Sequence, residues 1–321
     1  MSLKRSFRLV SSALAVAVVG FVVWAFAKNW HAYASQPMDA HPRWGMALAS
    51  AAAVLAAYAV LIQTWRIMVM EWGGRLPFWR AAHIWTVTNL YRYVPGWVWQ
   101  IGAMGVMAQR EGVSPVAATG SSILSTIVNI TTGFAIALGT GSVALDALRP
   151  GTSRVALVLT IVAVVGLVAL PVAMPRLLDV VRRVTGREIP AATVPPRVIA
   201  YAIVGNLMAW VLYGLALYLL TIGVLGHAAG AVPSYIAVYS ASYVLGYIVV
   251  VLPAGFGVRD GTMAAALPAF HLMTGPQALL IAVSSRLLTS VLDVLPGVLF
   301  LSVGAWRRRF PSSTNSNASS R

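Results

Sequence analysis

The sequence predicts an all-α, polytopic transmembrane helix bundle of about eight spans, with two Pro/Gly-broken or re-entrant elements and an inverted repeat. Three observations carry this. Apolar residues make up 59% of the 321 and charged residues only 10%, too little polar surface to clothe a soluble domain of this length. The apolar stretches run about 20 residues, the length a helix needs to cross hydrocarbon, and none alternates as barrel strands do. Third, no Lys, Arg, Asp or Glu occurs between Val198 and Val258, yet Arg259, Asp260, Arg286 and Asp293 follow in apolar surroundings.

Seven spans read directly, at about 9–27, 45–67, 116–139, 154–175, 197–222, 233–252 and 277–304. The first, preceded by Lys4, Arg5 and Arg8, imitates a signal peptide, and Ala32-Tyr33-Ala34 imitates a cleavage site. Its run is long enough to cross a bilayer and longer than a signal core, which favours an uncleaved span. Ser114 and Pro115 form an N-cap and a first-turn proline, and Pro195-Pro196 and Gly275-Pro276 open two further spans in the same way.

Two segments are interrupted. One runs from about Trp79 to Gln109 and contains YRYVPGWVWQ, with Pro95 and Gly96 at the break; the other is LPAGFGVRDGTMAAALPAFH, with Pro253, Gly255 and Gly257. Proline removes a backbone donor and glycine loosens a helix, so such segments at membrane depth must be buried in protein or line a watery cavity. These five residues are the expected hinges.

Basic residues cluster at the N-terminus, from Arg66 to Arg92, at Arg176, Arg182, Arg183, Arg187 and Arg197, and at Arg307, Arg308 and Arg309. The excess of basic residues in cytoplasmic loops places all four inside. Seven crossings would separate the termini, so an eighth, short or broken, is expected around 254–273. Both termini then lie in the cytoplasm of a bacterial-type cytoplasmic (inner) membrane. The expected organisation is one transmembrane domain, 1–310, with pseudo-repeat halves at about 44–175 and 197–304 and a disordered tail at 311–321. Residues 121–133 laid over 285–297, an offset of 164, pair Ser121 with Ser285, Leu124 with Leu288, Asn129 with Asp293 and Gly133 with Gly297. In an eight-crossing topology the two copies run in opposite directions, as in many transporters.

The net charge of +15 follows from topology and attraction to anionic headgroups, so no nucleic-acid partner is expected. Zero cysteine excludes disulfides and thiolate chemistry, and the scattered histidines offer no metal site. Walker, HExxH and GxSxG motifs are absent, so neither an enzyme nor a cofactor is expected.

The candidate site is drawn from the intramembrane charges. Arg286 and Asp293 are seven apart, two helical turns, and share one face roughly 10 Å apart along the axis. A charge at mid-membrane costs about 2.5–3.5 kcal/mol, so these residues either bind the bundle together or handle a polar guest. Ser122, Ser125, Thr126, Asn129 and Thr132 with Gly133 draw a polar stripe that either faces a path or mediates close helix packing. Arg259 and Asp260 sit in a glycine-rich bend, fit to cradle an anion or to form a solvated turn. Arg92 occupies the comparable place before the first break, as a gate or as an arginine snorkelling to headgroups.

YRYVPGWVWQIGAMG followed by QREGVSPVAA, then LPAGFGVRDG and SSRLLTSVLDVLPG, resemble the lysylphosphatidylglycerol synthase transmembrane-region family of flippase-like proteins. In that family the second motif reads like PxGxGxxE, and Asp260 stands where glutamate is expected. Relatives that transfer aminoacyl groups carry a separate soluble synthase domain, which is not expected here. The resemblance implies lipid translocation or transport, not aminoacyl transfer, and nothing about which lipid moves; the intramembrane arginines themselves point to a polar, phosphate-bearing headgroup. Arg286, Arg259 and Arg92 would receive the headgroup, while Asp293, Asp260, Asn129 and Gln100 complete the polar path. Membrane lipids with anionic headgroups are the expected partners. The alternatives are a membrane subunit presenting lipid to a separately encoded glycosyl- or aminoacyl-transferase, and a secondary transporter of a small solute.

Overall fold

A computed structural model describes residues 42–93, 98–148, 151–185, 195–248, 255 and 257–309. The expected span at 9–27, the break residues Pro95, Gly96 and Pro253, and the tail lie outside them. Nine α-helices and one 3-10 turn make up the described residues, with no strand among them: α1 (Trp44–Glu71), α2 (Phe78–Asn89), the 3-10 turn (Leu90–Tyr93), α3 (Val98–Arg110), α4 (Pro115–Leu148), α5 (Thr152–Thr185), α6 (Pro196–Leu225), α7 (Val232–Ile248), α8 (Val258–Ala269) and α9 (Gly275–Arg309). Within these, α1, Ala117–Ser142 of α4, α6 and Gly275–Phe300 of α9 are long and apolar enough to cross a membrane. Each remaining expected span falls on one of the helices. Val155, Leu157, Val158, Ile161, Val162 and Val165 of α5 point outward, as a helix in contact with lipid requires.

Helix directions follow from end-to-end pairings. The Arg43 amide, just before α1, donates to the Gly223 carbonyl near the end of α6 at 2.9 Å. Arg197, at the start of α6, pairs with Glu71, the last residue of α1, at 2.6 Å. The two helices therefore run antiparallel along their length, and the Ser50 hydroxyl ties them about two turns in from the Arg43 end by donating to the Ala216 carbonyl.

The first interrupted segment is an antiparallel hairpin of α2 and α3. Gln100 donates to Asn89 at its closed end (3.3 Å), and Arg80 pairs with Glu111 at its open end. The second hairpin is α7 and α8: Gly246 lies against the backbone of Arg259 at one end, and Gly230 lies against Leu272 at the other. At 1.5 Å per residue α2, α3 and α8 are about 18–20 Å long, short of the ~30 Å hydrocarbon thickness. The eighth crossing expected around 254–273 is thus a half-length return helix. Because α8 runs back along α7, α9 starts at the end of the bundle where α6 finishes.

Each hairpin is inserted between two long helices, α1 and α4 in one half, α6 and α9 in the other. With α1 opposed to α6, the two sets start in opposite directions, the sense that an inverted repeat requires. The helix starts Pro115 and Gly275 are 160 residues apart, one turn less than the sequence register of 164. A shift of four keeps the same helix face, so apolar similarity does not separate the two registers.

Gly255 makes the turn of the second hairpin possible. Its φ is +66°, and a Cβ there would stand 2.8–2.9 Å from the Gly246 backbone. Gly255→Ala is therefore expected to cost about 2–4 kcal/mol, from left-handed strain plus crowding. Gly257, at φ +79°, faces open space, so Gly257→Ala carries only the strain, about 1–2 kcal/mol. Thermal midpoints of the two purified variants check this; equal losses would remove the crowding argument.

Candidate functional site

Asp293 of α9 is the hub of the buried polar residues. Its Oδ1 accepts from the Tyr58 hydroxyl at 2.6 Å and from the Asn89 amide at 2.7 Å. Its Oδ2 accepts from the Tyr93 hydroxyl at 2.9 Å and from Arg92 Nη1 at 3.2 Å. Four donors from α1, α2 and the 3-10 turn thus converge on one carboxylate that is 4% exposed, the condition under which a buried charge is tolerated.

The other side of Arg92 faces α7, where Nη2 donates to the Tyr243 hydroxyl. Tyr235, Tyr239, Tyr243 and Tyr247 recur every fourth residue, on one face of that helix. The rings of Tyr239, Tyr243 and Tyr247 stack at 6.5 and 6.3 Å, and Tyr213 of α6 stacks on Tyr239 at 5.1 Å. Arg92 lies 5.8 Å from the Tyr243 ring centre. Arg259 of α8 lies 5.1 Å from that of Tyr239 and 5.8 Å from that of Tyr243. The tyrosine column thus holds two guanidiniums by cation–π attraction, worth about 2 kcal/mol each when desolvated.

Arg286 Nε stands 3.4 Å from Asp260 Oδ2. Asp260 also accepts from the Gly257 amide at 3.4 Å, which ties it to the first turn of α8. One rod, α9, therefore holds both hairpins through charges of opposite sign two turns apart: Asp293 grips the first through Arg92, and Arg286 grips the second through Asp260. Among the described residues no carboxylate forms an ion pair with Arg259, so three guanidiniums face two carboxylates and the cluster carries one surplus positive charge.

Beside the cluster lies a small, partly open cavity of about 100 Å³. Hairpin one contributes Asn89, Arg92 and Gln100; α4 contributes Ser122, Ser125, Thr126 and Asn129; α6 contributes Asn206, Trp210 and Tyr213. Tyr243 and Tyr247 of α7, Leu61 and Trp65 of α1, and Trp85 complete most of the wall. Among the described residues lining it, Arg92 is the one that carries a charge. No group of three or more metal-ligating side chains occurs among the described residues.

Of the residues singled out in the sequence, Arg92, Gln100 and Asn129 face this cavity, as does the stripe from Ser122 to Asn129. Thr132 does not: it is buried and accepts from the Trp210 indole at 3.2 Å. Asp293 lies behind Arg92, and Arg259, Asp260 and Arg286 lie outside the lining. Arg286 and Asp293 are 6% and 4% exposed, enclosed by neighbouring helices. Arg286 is buried with its Nε beside Asp260 of α8 and does not open onto this cavity. Tyr58, Asn89, Asn206 and the tyrosine column went unread, although the four-residue tyrosine period was visible in the sequence.

No curated protein matches the chain in sequence. The family model of the lysylphosphatidylglycerol synthase transmembrane region matches residues 9–297, a range that takes in both hairpins and both α9 charges. The protein is an integral membrane protein, and it belongs to the lysylphosphatidylglycerol synthase transmembrane-region family.

Proposed function

We propose that the protein carries the polar, phosphate-bearing headgroup of a lipid between leaflets of the cytoplasmic membrane, as a flippase-like carrier and not as an enzyme. The observation that supports this is the cavity, which presents a single guanidinium amid uncharged polar walls and backs onto a cluster with one surplus cation. A phosphate entering it competes with Asp293 for Arg92, whose bond at 3.2 Å is the longest of the four at the hub. The remaining three donors keep Asp293 satisfied while Arg92 turns to the guest. Arginine suits this role because its planar fork matches phosphate oxygens two at a time. The lipid tails stay in the bilayer beside the cavity mouth.

Ser125 lines the cavity and its hydroxyl makes no hydrogen bond among the described residues, so Ser125→Trp fills the path without breaking a side-chain hydrogen bond. In proteoliposomes holding fluorescent phosphatidylglycerol, dithionite quenching is expected to report fast inter-leaflet movement for the wild type and about tenfold slower movement for Ser125→Trp, with an unchanged thermal midpoint. Wild-type liposomes no faster than empty ones would remove the proposal.

A further inference from the structure

We propose that the headgroup is polyhydroxylated, a sugar, inositol or glycerol on the phosphate, and that a cationic aminoacyl or amine headgroup is disfavoured. This deepens the proposed function and rests on it. The walls carry the argument. Among the described lining residues there is no Asp or Glu, so an ammonium entering the cavity meets no opposite charge and faces Arg92 instead. The nearest carboxylate, Asp293, already accepts two hydrogen bonds on each oxygen.

The wall presents carboxamides in place of acids. Gln100 donates one amide hydrogen to Asn89, and Asn129 donates one to Asn206 at 2.8 Å. Their own carbonyl oxygens accept nothing among the described residues, and each retains a second N–H. A carboxamide that offers both an acceptor and a donor matches a hydroxyl, which needs both; phosphate needs only donors and ammonium only acceptors. Trp85, only partly buried, adds a flat apolar face to the same cavity, suited to the C–H face of a sugar or inositol ring. One site thus combines a phosphate-binding fork, hydroxyl-matching amides and one stacking face.

The test uses the full-length protein in proteoliposomes, with fluorescent phosphatidylinositol and phosphatidylglycerol compared against phosphatidylethanolamine and lysyl-phosphatidylglycerol. Both hydroxylated headgroups are expected to move about tenfold faster than both cationic ones. Ser125→Asp adds a carboxylate to the wall without breaking a hydrogen bond, and it is expected to narrow or reverse that ratio. Equal or faster movement of the amine headgroups by the wild type would overturn the inference and leave translocation standing. Binding of short-chain dihexanoyl phosphatidylinositol, preferred over its ethanolamine counterpart but without movement of any lipid, would do the opposite. A preference unchanged by Ser125→Asp would also overturn it, since the charge of the wall would then not select the headgroup.

Discussion

Asp293→Ala is expected to be the most destabilising single substitution in the described bundle. It removes the shared acceptor of Tyr58, Asn89, Tyr93 and Arg92, leaving three neutral donors unpaired and one guanidinium uncompensated in a low-dielectric interior. Breaking a buried pair by deleting one partner costs about 3–5 kcal/mol, a large fraction of the 5–15 kcal/mol typical of a folded domain. The folded yield on size exclusion should collapse and the thermal midpoint of what remains should fall steeply. Glu71→Ala is the control. The Arg197–Glu71 pair is shorter, 2.6 Å against 3.2 Å, but the Arg197 side chain is 70% exposed, so water and salt already screen it and the midpoint should hardly move. If Asp293→Ala purifies with a wild-type midpoint, the hub does not hold the first hairpin to α9.

The parts of this architecture written in local sequence were readable; the parts written across it were not. Span lengths and positions follow from apolar runs, because hydrocarbon thickness sets a length that composition must meet. The hairpins announced themselves through proline and glycine, since neither residue sits quietly in a helix interior. Partner choice was illegible. Arg286 and Asp293 share a helix face, yet the structure turns one to Asp260 and the other to Arg92, which is 201 residues from Asp293. Nothing in either segment specifies that long-range pairing; it emerges when two hairpins close on one rod. The tyrosine column was legible in principle, but a four-residue aromatic period in an apolar helix also describes ordinary packing, and only the guanidiniums lying against its rings distinguish the two.

The double variant Arg92→Gln with Asp293→Asn separates the structural task of this pair from its functional one. Removing both charges together leaves no uncompensated buried ion, and the two amides retain donors and acceptors for Tyr58, Asn89, Tyr93 and Tyr243. The variant should therefore purify with a midpoint near that of the wild type, well above that of Asp293→Ala. Its lipid movement should fail. A charge-assisted hydrogen bond contributes about 1.5–3 kcal/mol, so losing the cation that the described wall presents raises the barrier for a phosphate by about 3 kcal/mol, roughly a hundredfold in rate. Arg92→Lys, which keeps the charge but loses the fork, should fall between the two. A folded double variant that moves phosphatidylglycerol at the wild-type rate would reduce Arg92 to a strut. The same variant, folded and slow, would mean that the bond to Asp293 is a resting place for a cation whose other partner is the travelling phosphate.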